Sequence, residues 1–155
     1  MKSTIFNKHL RNSEIAFDLC TKYGGYYRFI SGEVFNEDFP TMTISLKNDS
    51  FFLSKLNSTE NQFEIRFSLF LNKTDHIMCT FLKSELKSNK QAMIRVENSD
   101  PAYFSDDLIG GIIVITQDHE KNWIGIVLEL EDDIERFQSF FNLRFSDIDG
   151  VIDAL

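Results

Sequence analysis

Between residues 109 and 130, two runs of apolar and largely β-branched residues flank one polar break. Residues 112–116 read Ile-Ile-Val-Ile-Thr and residues 123–130 read Trp-Ile-Gly-Ile-Val-Leu-Glu-Leu, with the polar segment 117–122 between them. Val and Ile fit the pleated surface of a sheet, and a short polar break suits a hairpin loop. Because consecutive positions are apolar, neither face of this hairpin is left for water. The pattern predicts a central hairpin covered on both sides, around which the rest of the chain is organised.

Upstream, residues 12–23 predict a short helix. Ile15, Leu19 and Tyr23 share one face, Glu14 favours the first turn, and Asn12 or Ser13 is expected to cap it. Gly24 and Gly25 end it. Residues 26–35 read as a strand broken near Ser31-Gly32, and residues 41–46 alternate as a strand with one wet face. Residues 51–56 fit either a strand or a helical turn. The clearest alternation lies in residues 62–71, where Phe63, Ile65, Phe67, Leu69 and Leu71 fall on one face. A turn at 72–75 returns the chain as a hairpin partner over residues 76–82. Residues 83–90 are polar and cationic and read as a helical turn or an exposed loop. Residues 92–96 make a short strand, and residues 98–107 a loop.

Past the central hairpin, residues 131–141 open with three acids and space Ile134, Phe137 and Phe141 as a helix. Phe145, Ile148, Val151, Ile152 and Leu155 predict a further amphipathic piece. With no internal repeat or linker, the order of elements points to a single α+β domain spanning residues 1–155. The expected architecture is a mostly antiparallel twisted sheet, with an N-terminal helix and C-terminal helices packed on it.

Composition changes this picture little. A chain of 155 residues is long enough to bury roughly 68–70% of its unfolded surface, and its 16 Phe supply much of the core. The N-terminus lacks the apolar run of a signal peptide, and no stretch reaches the length of a membrane helix. The expectation is a soluble cytoplasmic protein. Cys20 and Cys79 lie far apart, without metal-ligand spacing, and are expected to be reduced core residues.

Charge is more informative. Residues 1–96 hold 13 Lys and Arg against 10 Asp and Glu; residues 97–155 hold 3 against 14, a net of −11. Such asymmetry bears on partners and not on fold. It speaks against nonspecific attraction of the C-terminal part to nucleic acid or an anionic membrane, and for a basic protein partner.

Candidate chemistry is sparse. His9, His76 and His119 have no local ligand spacing. His119, between Asp118 and Glu120, is the one histidine that a loop is expected to present to solvent. Asp147-Ile-Asp-Gly has the look of a calcium loop, but the alignment puts Phe145 at the first ligand position, which excludes an EF-hand. No hydrolase, zincin, phosphate-loop or dinucleotide pattern is present, and no cofactor is expected. The aromatics do not interleave with a basic stripe.

Two readings follow. In the first, a small acidic binding protein neutralises a basic partner, as an immunity protein or antitoxin blocks a nuclease-type toxin. Its contact acids are Asp106, Asp107, Glu131, Asp132, Asp133 and Glu135 at one end of the hairpin, with Asp118 and Glu120 at the other. In the second, an enzyme of unrecognised type uses His119 and nearby carboxylates. A phage or mobile-element structural protein fits the composition as loosely.

Overall fold

The alternating segments become strands whose inward residues meet inside one curved sheet. The computed structural model describes residues 11–36, 39–45, 51–52, 63–71, 76–86, 89–97, 104–144 and 148–155. In chain order the elements are α1 (Asn12–Tyr23), β1 (Gly25–Phe29), β2 (Thr41–Ile44), β3 (Phe63–Phe70), β4 (His76–Leu86), β5 (Asn89–Val96), β6 (Ile112–Gln117), β7 (Trp123–Leu128), α2 (Glu131–Phe140) and β8 (Asp149–Ile152). Short 3-10 turns occupy Gly32–Phe35 and Asp106–Leu108.

The eight strands among the described residues form one sheet in the order β2-β5-β4-β3-β7-β6-β1-β8. Every neighbouring pair is antiparallel except β3 and β7, which run parallel with Ser68 beside Ile124. The sheet is therefore mixed. The parallel step arises where the first hairpins meet the central one, because β7 lies next to β3 with its partner β6 on the far side.

The period of two divides the sheet's side chains between two cores. Inward residues such as Tyr26, Met42, Phe67, Phe81, Ile94, Ile113, Ile115 and Val127 fill the concave interior. Outward residues Tyr27, Ile112, Val114, Ile124, Ile126 and Leu128 form a second core under α1 and α2, with Ile15, Leu19 and Phe137 from the helices. This explains the apolar runs at 112–116 and 123–128: β6 and β7 have the barrel interior on one face and helices on the other.

The two edges of the sheet come together, so it is nearly a closed barrel. Asp149 on β8 accepts from the Ser45 amide at 2.8 Å and the Ser45 hydroxyl at 2.7 Å, just after β2. Arg28 on β1, opposite Asp149 in register, donates Nε to the Thr43 carbonyl of β2 at 3.0 Å. Tyr26 Oη completes the seam with a 2.6 Å bond to Asp149. Arg28 and Asp149 are each 1% exposed. Burial pulls the Arg28 pKa down, against the opposing influence of Tyr26 and Glu33.

Several expectations need correction. The described residues of the segment 83–90, which are 83–86 and 89–90, are strand and neither a helical turn nor a loop. They belong to a long β4–β5 hairpin paired from Cys79–Val96 out to Leu86–Asn89. The amphipathic piece near the C-terminus is strand β8, not a second helix. Over four residues, apolar positions three and four apart do not separate helix from strand. The strand expected at 26–35 ends at Phe29 and is followed by the 3-10 turn. The N-cap of α1 is Arg11, whose amide donates to Glu14 at 3.3 Å; Asn12 Oδ1 and Ser13 Oγ are buried without a hydrogen-bond partner. Phe51 and Phe52 are helical; the rest of that ambiguous segment, the turn at 72–75 and Asp147 lie outside the described residues. No described helix is long and apolar enough to cross a membrane.

Candidate functional site: the acidic end of the central hairpin

Two glycines fix the loop that enters the central hairpin. Gly110 has φ +97°, in the region that favours glycine. A Cβ on Gly111 would lie 2.9 Å from the Leu128 carbonyl oxygen, so the loop packs against the opposite strand only because that atom is missing. Gly110 N–H donates to the Ile30 carbonyl, and Ile30 N–H to the Gly111 carbonyl, both at 2.9 Å. Leu108 is buried beneath the turn, whereas Asp106, Asp107 and Ile109 are exposed.

At the same end, β7 runs out into α2. Leu130 is the N-cap, and Glu131, Asp132 and Asp133 occupy the first turn, where the helix dipole favours negative charge. Asp133 turns inward, 7% exposed, and pairs with Arg11 Nη2 at 2.9 Å. Glu131, Asp132 and Glu135 stay in solvent. Asp106, Asp107, Glu131, Asp132 and Glu135 form no ion pair among the described residues. Ile109, 47% exposed, and Leu130, 60% exposed, border them. Unpaired acids thus flank exposed aliphatic side chains.

The far end of the hairpin is built differently. Asp118 is buried, and its Oδ1 accepts from the amides of Glu120 and Asn122, each at 2.9 Å. It ties the hairpin loop and leaves Glu120 as the exposed acid of that loop. Lys121, at φ 66°, makes the turn. His119 leans on α1: its Nδ1 is 2.9 Å from Tyr23 Oη and its Nε2 is 4.0 Å from Asp18. The eight acids read from the sequence therefore divide in three. Five stand exposed at the hairpin base, Glu120 stands at the tip, and Asp118 and Asp133 are occupied inside the fold.

Sequence reasoning missed the cavities. A groove of about 780 Å³ runs between the helices, lined by Phe17, Asp132, Glu135, Arg136, Ser139 and Phe140. A smaller one of about 240 Å³ lies between the N-termini of α1 and α2, where Arg11, Asn12, Leu130 and Asp133 meet. Residues from α1 and α2 are far apart in the chain, so no local spacing announces either cavity. The Arg28–Asp149 seam was equally hidden. Its one trace was an Arg inside an aromatic strand segment.

Neither thiol is poised to react. Burial pushes the Cys20 pKa up to about 12, against a weaker opposing hydrogen bond with Thr116. Burial likewise raises that of Cys79, with Glu97 adding to it. Among the described residues no cluster of three His, Cys, Asp or Glu side chains is placed to hold a metal ion.

No protein family and no curated protein matches the chain. Among solved structures it is similar to the N-terminal domain of Helicobacter pylori LlaJI.R1, with 16% identity, covering 85% of this chain and 99% of that one, at a TM-score of 0.52. At that identity the likeness is one of fold alone.

Proposed function

We propose that this protein is a binding module that takes a basic protein partner on the acidic end of its central hairpin. The observation that carries the reading is the combination at that end. Asp106, Asp107, Glu131, Asp132 and Glu135 are exposed and, among the described residues, without an ion pair, beside exposed Ile109 and Leu130. Aliphatic surface supplies desolvation energy, and unpaired carboxylates steer a cationic partner and fix its orientation. Asp118 and Asp133 drop out of the contact set because the fold already uses them. A nuclease-type toxin, whose cleft must attract phosphate, is the partner class that best fits such a surface. The protein then acts as an immunity protein or antitoxin by covering that cleft.

The test is affinity capture from the source organism at low salt, with wild type and with a variant carrying Asp106→Asn, Asp107→Asn, Glu131→Gln, Asp132→Asn and Glu135→Gln. The expected result is a basic protein retained by wild type, released by salt and lost from the variant. Identical retention by both would defeat the reading. The runner-up is an enzyme built on His119, favoured by its contacts with Tyr23 and Asp18. Neither cavity described above is lined by these residues.

A further inference from the structure

The groove between α1 and α2 has an aromatic wall and an acidic rim. Phe17 of α1 is the centre of a ring cluster, 5.5 Å from Phe137, 5.4 Å from Phe140 and 6.2 Å from Phe141 between centroids. Phe137 is fully buried, but Phe140 is 54% exposed. Asp132 and Glu135, three residues apart on α2, stand on one side of the helix and line the groove. The chain's own Arg136 places its guanidinium carbon 5.5 Å from the Phe17 ring centroid. This wall therefore already accepts a cation on an aromatic face.

We infer that the α1–α2 groove is the seat of a basic amphipathic helix of the partner, whose apolar face covers Phe17 and Phe140 while its Lys or Arg side chains meet Asp132 and Glu135. Two helices side by side offer a trough into which a third packs with anchors at positions three and four apart. Charge complementarity selects the occupant: Asp132 and Glu135 outnumber Arg136, and the last 59 residues carry a net charge of −11. An acidic helix would meet like charge at Asp132 and Glu135. The inference rests on the reading above and narrows it, naming the part of the acidic end that anchors the partner and the shape of what docks there.

Titrating the isotope-labelled 155-residue protein with a Leu/Lys amphipathic peptide of about a dozen residues (~18 Å as helix) tests it, with a Leu/Glu peptide of the same length as control. Amide shifts are expected around Phe17, Asp132, Glu135, Ser139 and Phe140 with the basic peptide only. Phe140→Ala should weaken binding on the order of tenfold or more, as loss of an aromatic anchor does. Arg136→Ala should tighten it several-fold by removing the competing cation. Phe140 is half exposed, so its truncation should leave the circular dichroism spectrum unchanged. Shifts confined to Asp106, Asp107 and Glu131 would overturn the groove and leave the acidic reading standing. Equal binding of both peptides, or of neither, would overturn the groove and remove the charge argument with it.

Discussion

Removing the Asp149 carboxylate should open the barrel seam. In the native protein this buried side chain accepts three hydrogen bonds, from Tyr26 Oη, the Ser45 amide and the Ser45 hydroxyl, at 2.6–2.8 Å. It also faces Arg28, which is equally buried. Asp149→Ala deletes the two oxygens that accept these bonds, leaves the part-buried Ser45 amide without that acceptor and removes the buried carboxylate opposite Arg28. Hydrogen bonds to a charged group contribute about 1.5–3 kcal/mol each but are not additive. The three bonds share one carboxylate, so for the set about 3–5 kcal/mol is expected. In a domain of this size each kcal/mol lowers the melting temperature by about 2–4 °C, giving a drop of roughly 6–20 °C by circular dichroism. Tyr26→Phe removes one donor and should cost about 1 kcal/mol in wild type but almost nothing once Asp149 is gone. A loss under about 1 kcal/mol for Asp149→Ala, or full additivity with Tyr26→Phe, would refute the closed seam.

Ile126, fully buried between β6 and the helices, loses three carbons on Ile126→Ala. At about 0.8 kcal/mol per buried methylene plus a cavity, urea unfolding should report a cost of about 3–4 kcal/mol, and a value below about 1 would show the hairpin to be peripheral. Because burial lifts Cys20 to about 12 and raises Cys79 as well, Ellman's reagent at about pH 8 should find no native thiol, and both thiols only after unfolding; rapid native modification would place them at the surface. His119→Ala should leave partner binding unchanged and cost about 0.5–1 kcal/mol through the lost Tyr23 contact. If it instead abolished a catalytic activity of the purified protein at unchanged stability, the enzymatic alternative would replace the binding one.

The central hairpin and α1 were legible because their signals are local. In residues 112–116 and 123–128 the apolar run reports burial on both faces, and in residues 12–23 the apolar spacing matches the helix repeat. Residues 83–90 and the chain end were misread for want of such a signal. Residues 83–86 pair with the strand that follows them, but their polar sequence shows no alternation to announce it; β8 is four residues long and is made a strand by β1, far away in the chain. The acidic cluster was legible as composition but not as geometry. Nothing in the sequence separates Asp133, paired with Arg11 122 residues away, from Asp132, which faces solvent. Asp118 was hidden in the same way, since an Asp that ties its own loop reads like one that meets a partner.

The most direct test of the acidic end as an interface is the association rate of the captured partner as a function of salt. Stopped-flow measurements would compare wild type with the five-fold amide variant at Asp106, Asp107, Glu131, Asp132 and Glu135. Steering by exposed carboxylates is screened beyond a Debye length, about 8 Å at physiological ionic strength. The wild-type rate should therefore fall steeply as salt rises, and the variant should associate more slowly with a flatter dependence. Equal rates, affinities and salt slopes for the two proteins would contradict the account and leave the acidity of this end without a part in recognition.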